Sequence, residues 1–99
     1  MEITKRSGSV VLFESGKIAK SILKANEGAF FEEITQAHAD MIADDVFRQL
    51  SKETSIITTG DVHQRVYDIL LEKGFRDTAA LYRKRADEQA AEYAAKNNA

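Results

Sequence analysis

Cysteine is absent from the 99 residues, which removes disulfide frameworks, thiolate-bound metals and any redox or radical chemistry carried by sulfur. Such usage is that of a cytoplasmic protein. No apolar stretch approaches the roughly eighteen residues of a membrane span, and the opening "MEITKRSG" lacks the apolar core of a signal peptide. A soluble, intracellular chain without membrane contact is expected. Neither charge sign dominates, because 14 Lys and Arg stand against 16 Asp and Glu for a net charge of −2, and the basic residues form no long run. Non-specific nucleic-acid binding is therefore disfavoured. No GxxxxGK[ST] stretch occurs, which excludes a P-loop, and no serine nucleophile has a matching histidine and orienting group. The two histidines, His38 and His63, lack further ligands at metal spacing. Neither catalysis nor a dedicated metal site is expected.

What remains is a composition of 43% hydrophobic and 30% charged residues, that of a folded globular domain rather than a disordered one. A chain of this length fits one domain and one modest core, with about 60–70% of the unfolded surface buried. Proline is also absent, so glycines, caps and periodicity must mark the elements. Residues 2–6 and 9–13 read as two strands around a two-residue Ser7-Gly8 turn. Ser15 can cap a first helix with Ile18, Ile22 and Ala25 inward, ending near Asn26-Glu27-Gly28. Ile34, Ala37, Met41, Ile42, Phe47 and Leu50 mark a second, between about residues 32 and 52. Ser55-Ile56-Ile57 reads as a brief third strand, and Thr58 to Asp61 has the spacing of a capping box. Val62, Val66, Ile69 and Leu70 face inward on a third helix that Gly74 ends, and Asp77 opens a fourth carrying Ala79, Tyr82, Ala86, Ala90 and Tyr93. The expected fold is α+β and mainly α: a four-helix bundle under a small N-terminal hairpin or three-stranded sheet. Residues 1–90 form the domain and 91–99 a fraying helical tail.

Lys17 is out of place in this scheme. It falls in the first turn of a helix, where the positive end of the dipole disfavours a cation. A negative group from outside the chain would explain it. The stretch "ITKRSGSVVLFESGKIAKSILKA" (residues 3–25) resembles the opening of the ATP-cone domain: a Lys-Arg pair, a turn glycine, an apolar strand, an acidic or amide residue, then Lys-Ile at the helix start. In the second half, "IITTGDVHQRVYDILLEKGFRDTAALYRKR" (residues 56–85) resembles the domain's closing pattern of a threonine before a helix, an apolar heptad, a glycine-aromatic turn and a tyrosine followed by basic residues. Both halves stand in order at the expected separation.

The resemblance implies a non-catalytic regulatory module that binds ATP or dATP, with Mg2+ accompanying the triphosphate. Its partner would be related to ribonucleotide reductase or to the transcriptional control of that enzyme, and a homo-oligomer is compatible with it. Lys5 and Lys17 would meet the phosphates, Lys17 beside free N–H groups at a helix start. Arg6, which strand alternation turns away from Lys5, reads equally as a ligand contact or a solvated arginine. Glu14 takes the position where the family carries Asp or Asn, and would accept from the adenine amine while the backbone near Val11 completes the base contact. Ile18 reads as a wall of the base slot, as core, or as both. Thr59 and His63 would share a face at the start of the third helix and contact ribose or phosphate, although Thr58 is an equally good cap. His38 reads as an ordinary residue on the apolar side of the second helix. Arg83, Lys84 and Arg85, where the family pattern has a second tyrosine, would face the phosphates, a partner or only solvent. A different class of function stays open: a helical protein-interaction or DNA-associated regulator that has lost its nucleotide.

Overall fold

Residues 1–97 are described by the structure, a computed structural model. The fold is α+β and mainly α, as expected, with a two-stranded antiparallel sheet of β1 (Glu2–Thr4) and β2 (Val10–Leu12) followed by α1 (Ser15–Asn26), α2 (Gln36–Leu50), α3 (Thr59–Glu72) and α4 (Arg76–Asn97). Helix α1 packs on α2 and α4, and α3 packs on the same two, so the four close a square around one core. Ile22, Ile42, Val46, Leu50, Val66, Ile69 and Leu70 are fully buried there, with Ala19, Ala39, Ala43 and Ala79 letting the helix backbones approach. The end of the expected tail, residues 98 and 99, lies outside the described residues.

The hairpin turn is longer than the expected Ser7-Gly8 pair. The Gly8 N–H donates to the Lys5 carbonyl at 2.9 Å and the Lys5 N–H to the Ser9 carbonyl at 2.8 Å, closing a turn over Lys5 to Gly8. Only Gly8 takes a positive φ, +90°. A two-residue turn with both central residues left-handed would strain Ser7, and one glycine suffices for the longer turn. Lys5 and Arg6 therefore lie in the turn and not in a strand.

Three further expectations are corrected. Glu14, extended at φ −122°, occupies the N-cap of α1 and makes no side-chain cap bond, so Ser15 is the first helical residue instead of the cap. Ser55-Ile56-Ile57 forms no strand: Thr4 N–H donates to the Ile57 carbonyl at 2.9 Å, and a single parallel bridge joins Thr4 to Thr58. The Thr58–Asp61 capping box turns the chain into α3 at that point and ends the pairing. In α2 the core face is Ala39, Ile42, Ala43, Val46 and Leu50, while Ala37, His38 and Met41 are exposed and Phe47 is partly so. Short alanines fit where helices approach closely, and bulk alone misjudged the face. Thr35, whose hydroxyl accepts from His38 N–H at 3.2 Å, starts this helix at Gln36.

Gly74 ends α3 as expected, at φ +87°, with Phe75 N–H donating to the Leu70 carbonyl at 2.9 Å and Gly74 N–H to the Leu71 carbonyl at 3.0 Å. That is a Schellman closure. The start of α4 is capped from a distance: the Glu32 carboxylate accepts from Asp77 N–H and Thr78 N–H, both at 2.8 Å. Burial pushes its pKa up, but those bonds and the Thr78 hydroxyl outweigh it, and the net direction is down. Asn26, at the end of α1, donates to the Glu32 carbonyl at 2.8 Å and to the fully buried Thr78 hydroxyl at 3.1 Å. Loop, α1 and α4 are thereby tied at the end of the bundle remote from the hairpin.

Candidate functional site

The other end of the bundle holds the side chains singled out by sequence. Helix α1, which starts at this end, differs from the other three: α2, α3 and α4 each have a side-chain acceptor for their first N–H groups, while α1 has none among the described residues. Free N–H groups and the positive dipole end of α1 remain open to an anion. Beneath the hairpin this helix start borders a cavity of about 270 Å³ lined by Lys5, Val11, Glu14, Lys17, Ile18, Thr59 and His63, with Ile3, Leu12, Phe13 and Val62 completing its walls. Seven of the eight sequence-chosen residues are thus brought together.

Local rules explain each placement. Ile3 is buried, so strand pairing turns Val11, its partner in register, to the same inner face, where it stays 42% exposed above the cavity. The capping box uses Thr58, which settles the choice between the two threonines and leaves Thr59 half-buried with its hydroxyl uncommitted to the cap. Ile18 is half-buried, packed against the core and lining the cavity at once. Lys17 has a partner in the chain, its Nζ lying 3.4 Å from Glu14 Oε1, but the two side chains are 77% and 57% exposed. A pair so exposed contributes at most about 1 kcal/mol.

Arg6 is the exception. It lines a smaller neighbouring cleft of about 120 Å³ with Gly60, His63, Gln64, Tyr67, Arg83 and Asp87. Lys5 and Arg6 thus diverge to the two sides of His63. Burial lowers the His63 pKa first, Arg6 lowers it further, and Asp87 opposes both. The net direction is down from the ordinary 6.5, which leaves a neutral imidazole at pH 7, one nitrogen donating and the other accepting. Its ring meets the buried Tyr82 edge-on, centroids 5.9 Å apart at 83°.

Sequence reasoning missed a second cavity of about 300 Å³ between α1 and α4, lined by Lys17, Lys20, Ser21, Lys24, His63, Tyr82, Arg85, Ala86 and Gln89. It shares Lys17 and His63 with the first. Four cations, with Ser21, His63, Tyr82 and Gln89 able to donate beside them, make it a cationic cleft with no carboxylate among the described residues on its walls. The signal was present, since Lys17, Lys20 and Lys24 repeat at helical spacing on one face. The basic trio of α4 is split: Arg85 lines this cleft, Arg83 sits 4.8 Å over the Tyr67 ring, and Lys84 lines a shallow groove beside Glu88. His38 lies far from these cavities in role, its ring 6.3 Å from Phe75. Among the described residues no three His, Asp or Glu side chains stand together to hold a metal.

The depressed His63 pKa has a sign that can be tested. Between that lowered value and 6.5 the unfolded chain binds more protons at His63 than the folded chain, so stability rises with pH through that interval and is lost on acidification below 6.5. In His63→Gln this part of the slope should flatten, as read from urea midpoints between pH 5 and 7 (about the range in which histidine titrates). An unchanged slope would assign it to other groups.

The chain is thus a small helical bundle with a half-apolar slot under a hairpin and, sharing Lys17 and His63 with it, a cationic cleft. The sequence model of the ATP cone domain matches residues 1–92, and the chain belongs to that family. ATP-cone domains are regulatory, non-catalytic modules that bind ATP or dATP. Comparison with curated proteins gives no match. Among the described residues no helix is long and apolar enough to cross a membrane.

Proposed function

We propose that this chain senses ATP and dATP and passes the bound state to a protein partner of the ribonucleotide reductase system, the enzyme or its transcriptional control, in the cytoplasm. The observation that carries this reading is the adjacency of the two cavities, which share Lys17 and His63 on their walls. Adenine would enter the slot formed by Val11, Glu14 and Ile18, with Thr59 and His63 at the sugar. The triphosphate would cross Lys17 and the open start of α1 toward Lys20, Lys24 and Arg85. Lys5 would close over it from the turn, and Arg6 would act through His63 from the neighbouring cleft. Mg2+ would be held by phosphate oxygens and water, without a protein cage.

Ligand-free, Lys17 and Glu14 hold each other. A phosphate would draw Lys17 away and release the Glu14 carboxylate to accept from the adenine amine. The turn and the start of α1 then change together, which supplies two states that the ligand binds unequally.

Thermal unfolding with ATP, dATP and GTP tests the reading. Adenine nucleotide at a hundred times its dissociation constant should add about 2.7 kcal/mol, a rise of roughly 10–20 °C for a domain of this size. GTP, whose carbonyl would oppose the Glu14 carboxylate, should bind about 1–3 kcal/mol more weakly. No shift with ATP or dATP would return the chain to the class of interaction proteins without a ligand, and equal ATP and GTP affinities would remove Glu14 from base recognition.

A further inference from the structure

Phe30 and Phe31 are 90% and 98% exposed, more than any other large apolar side chain among the described residues. They do not sit on a loose loop. The Glu32 N–H donates to the Ala29 carbonyl at 3.1 Å, closing a turn with the two phenylalanines at its corner and the buried Ala29 and Ile34 on either side. The Asn26 amide donates to the Glu32 carbonyl at 2.8 Å and accepts from the Ile34 N–H at 3.2 Å, while the Glu32 carboxylate caps α4. An isolated exposed phenylalanine needs no explanation, but an adjacent pair on a backbone so held does. Little backbone freedom remains to be lost when such a turn meets a partner.

Charge decides which partners the turn can meet. From Glu27 to Thr35 the chain carries three carboxylates and no cation, and Glu27 and Glu33 have no ion-pair partner among the described residues. The element ends beside it add Asp77 and Arg76 on α4 and Lys24 on α1, while Lys73 at the end of α3 is held by Asp45 at 3.6 Å. The rings therefore stand on a net acidic mount. An anionic lipid surface would repel it. The cleft between α1 and α4 is its complement: Lys17 is paired with Glu14, but Lys20, Lys24 and Arg85 have no such partner among the described residues, and Tyr82 and Ala86 add apolar wall. We infer that the Phe30-Phe31 turn docks in the α1–α4 cleft of a second copy of this chain, a ring against Tyr82 and Ala86 and the carboxylates of Glu27 and Glu33 toward Lys20, Lys24 and Arg85. Turn and cleft are different surfaces, so the contact is heterologous. It needs no nucleotide, and a triphosphate entering the same cleft would displace it.

Because each molecule offers one of each surface, the two can be disabled separately. Phe30→Ser with Phe31→Ser removes the rings, and Lys20→Glu with Lys24→Glu reverses the cleft; all four side chains are exposed, so the urea midpoints should stay close to that of the unmodified chain. Lys20→Ala with Lys24→Ala takes the place of the reversal if that unfolds the chain. Without nucleotide, sedimentation equilibrium should show self-association of the unmodified chain that weakens with salt, and each variant alone should stay monomeric. An equimolar mixture of the two should form a one-to-one dimer and nothing larger, since a single intact turn meets a single intact cleft. An unmodified chain monomeric up to about 1 mM, a mixture that associates no more than its parts, or association that the Phe30→Ser, Phe31→Ser chain retains overturns the inference. So does binding to neutral phosphatidylcholine vesicles that those two substitutions abolish, which would make the turn a lipid anchor.

Discussion

Lys17→Ala is expected to weaken ATP binding by about 1.5–3 kcal/mol, the range for a hydrogen bond to a charged group and more than tenfold in affinity. Ligand-free stability should change by less than about 0.5 kcal/mol. Two small effects oppose each other in the free chain. Removing a cation from the positive end of the α1 dipole gains roughly 0.3 kcal/mol, and losing the exposed pair with Glu14 costs about the same. In the proposed complex nothing would offset the loss, because Lys17 borders both cavities, where the triphosphate would pass from one to the other. Calorimetry and urea unfolding on the one variant separate the possibilities. Unchanged affinity for ATP would mean that Lys17 serves Glu14 alone.

The sequence made the short-range parts of this fold readable, and the reasons are local. The Thr58–Asp61 box and the Gly74 closure depend on residues within a few positions of one another, whereas the strand register was missed by one residue, because the longer turn sets Ile3 opposite Val11 where a two-residue turn would have set it opposite Leu12. Where a choice depended on what approached from elsewhere, the reading failed. Ala39 and Ala43 are buried because α2 packs closely on its neighbours, and Met41 is exposed despite its bulk. Glu32 caps a helix 45 residues further on, which no spacing rule anticipates.

The same division runs through the candidate site. Lys17 was singled out by its place in a helix first turn and Lys5, Glu14, Thr59 and His63 by the family resemblance, and the bundle gathers all five around one cavity. Arg85 and Gln89 come from the far end of the sequence to face Lys20 and Lys24. That cleft is a product of helix packing. Arg6 parted from Lys5 for a reason the alternation argument did not contain, since both stand in a turn that one left-handed glycine allows.

Tyr82→Ala should cost about 3–5 kcal/mol, a large share of the roughly 5–15 kcal/mol that holds a domain folded. Tyr82 is 5% exposed and packs into the core from α4, while its other side lines the cationic cleft and its ring edge meets His63. Truncation would open a cavity between α3 and α4 and admit water to the imidazole. Since burial is the first cause of the low His63 pKa, that pKa should rise toward 6.5 in the variant, as followed by NMR titration of the ring. Tyr82→Phe keeps the ring and removes only the hydroxyl of a residue that lines the cationic cleft, so its cost should stay within about 1 kcal/mol with the His63 titration unmoved. If Tyr82→Ala unfolds as readily as expected and is too unstable to titrate, Tyr82→Leu, which retains apolar volume but not the aromatic edge, carries the measurement. A His63 pKa that stays low in the leucine variant would show that apolar burial and Arg6, rather than the aromatic edge, keep the histidine neutral where it borders the two cavities.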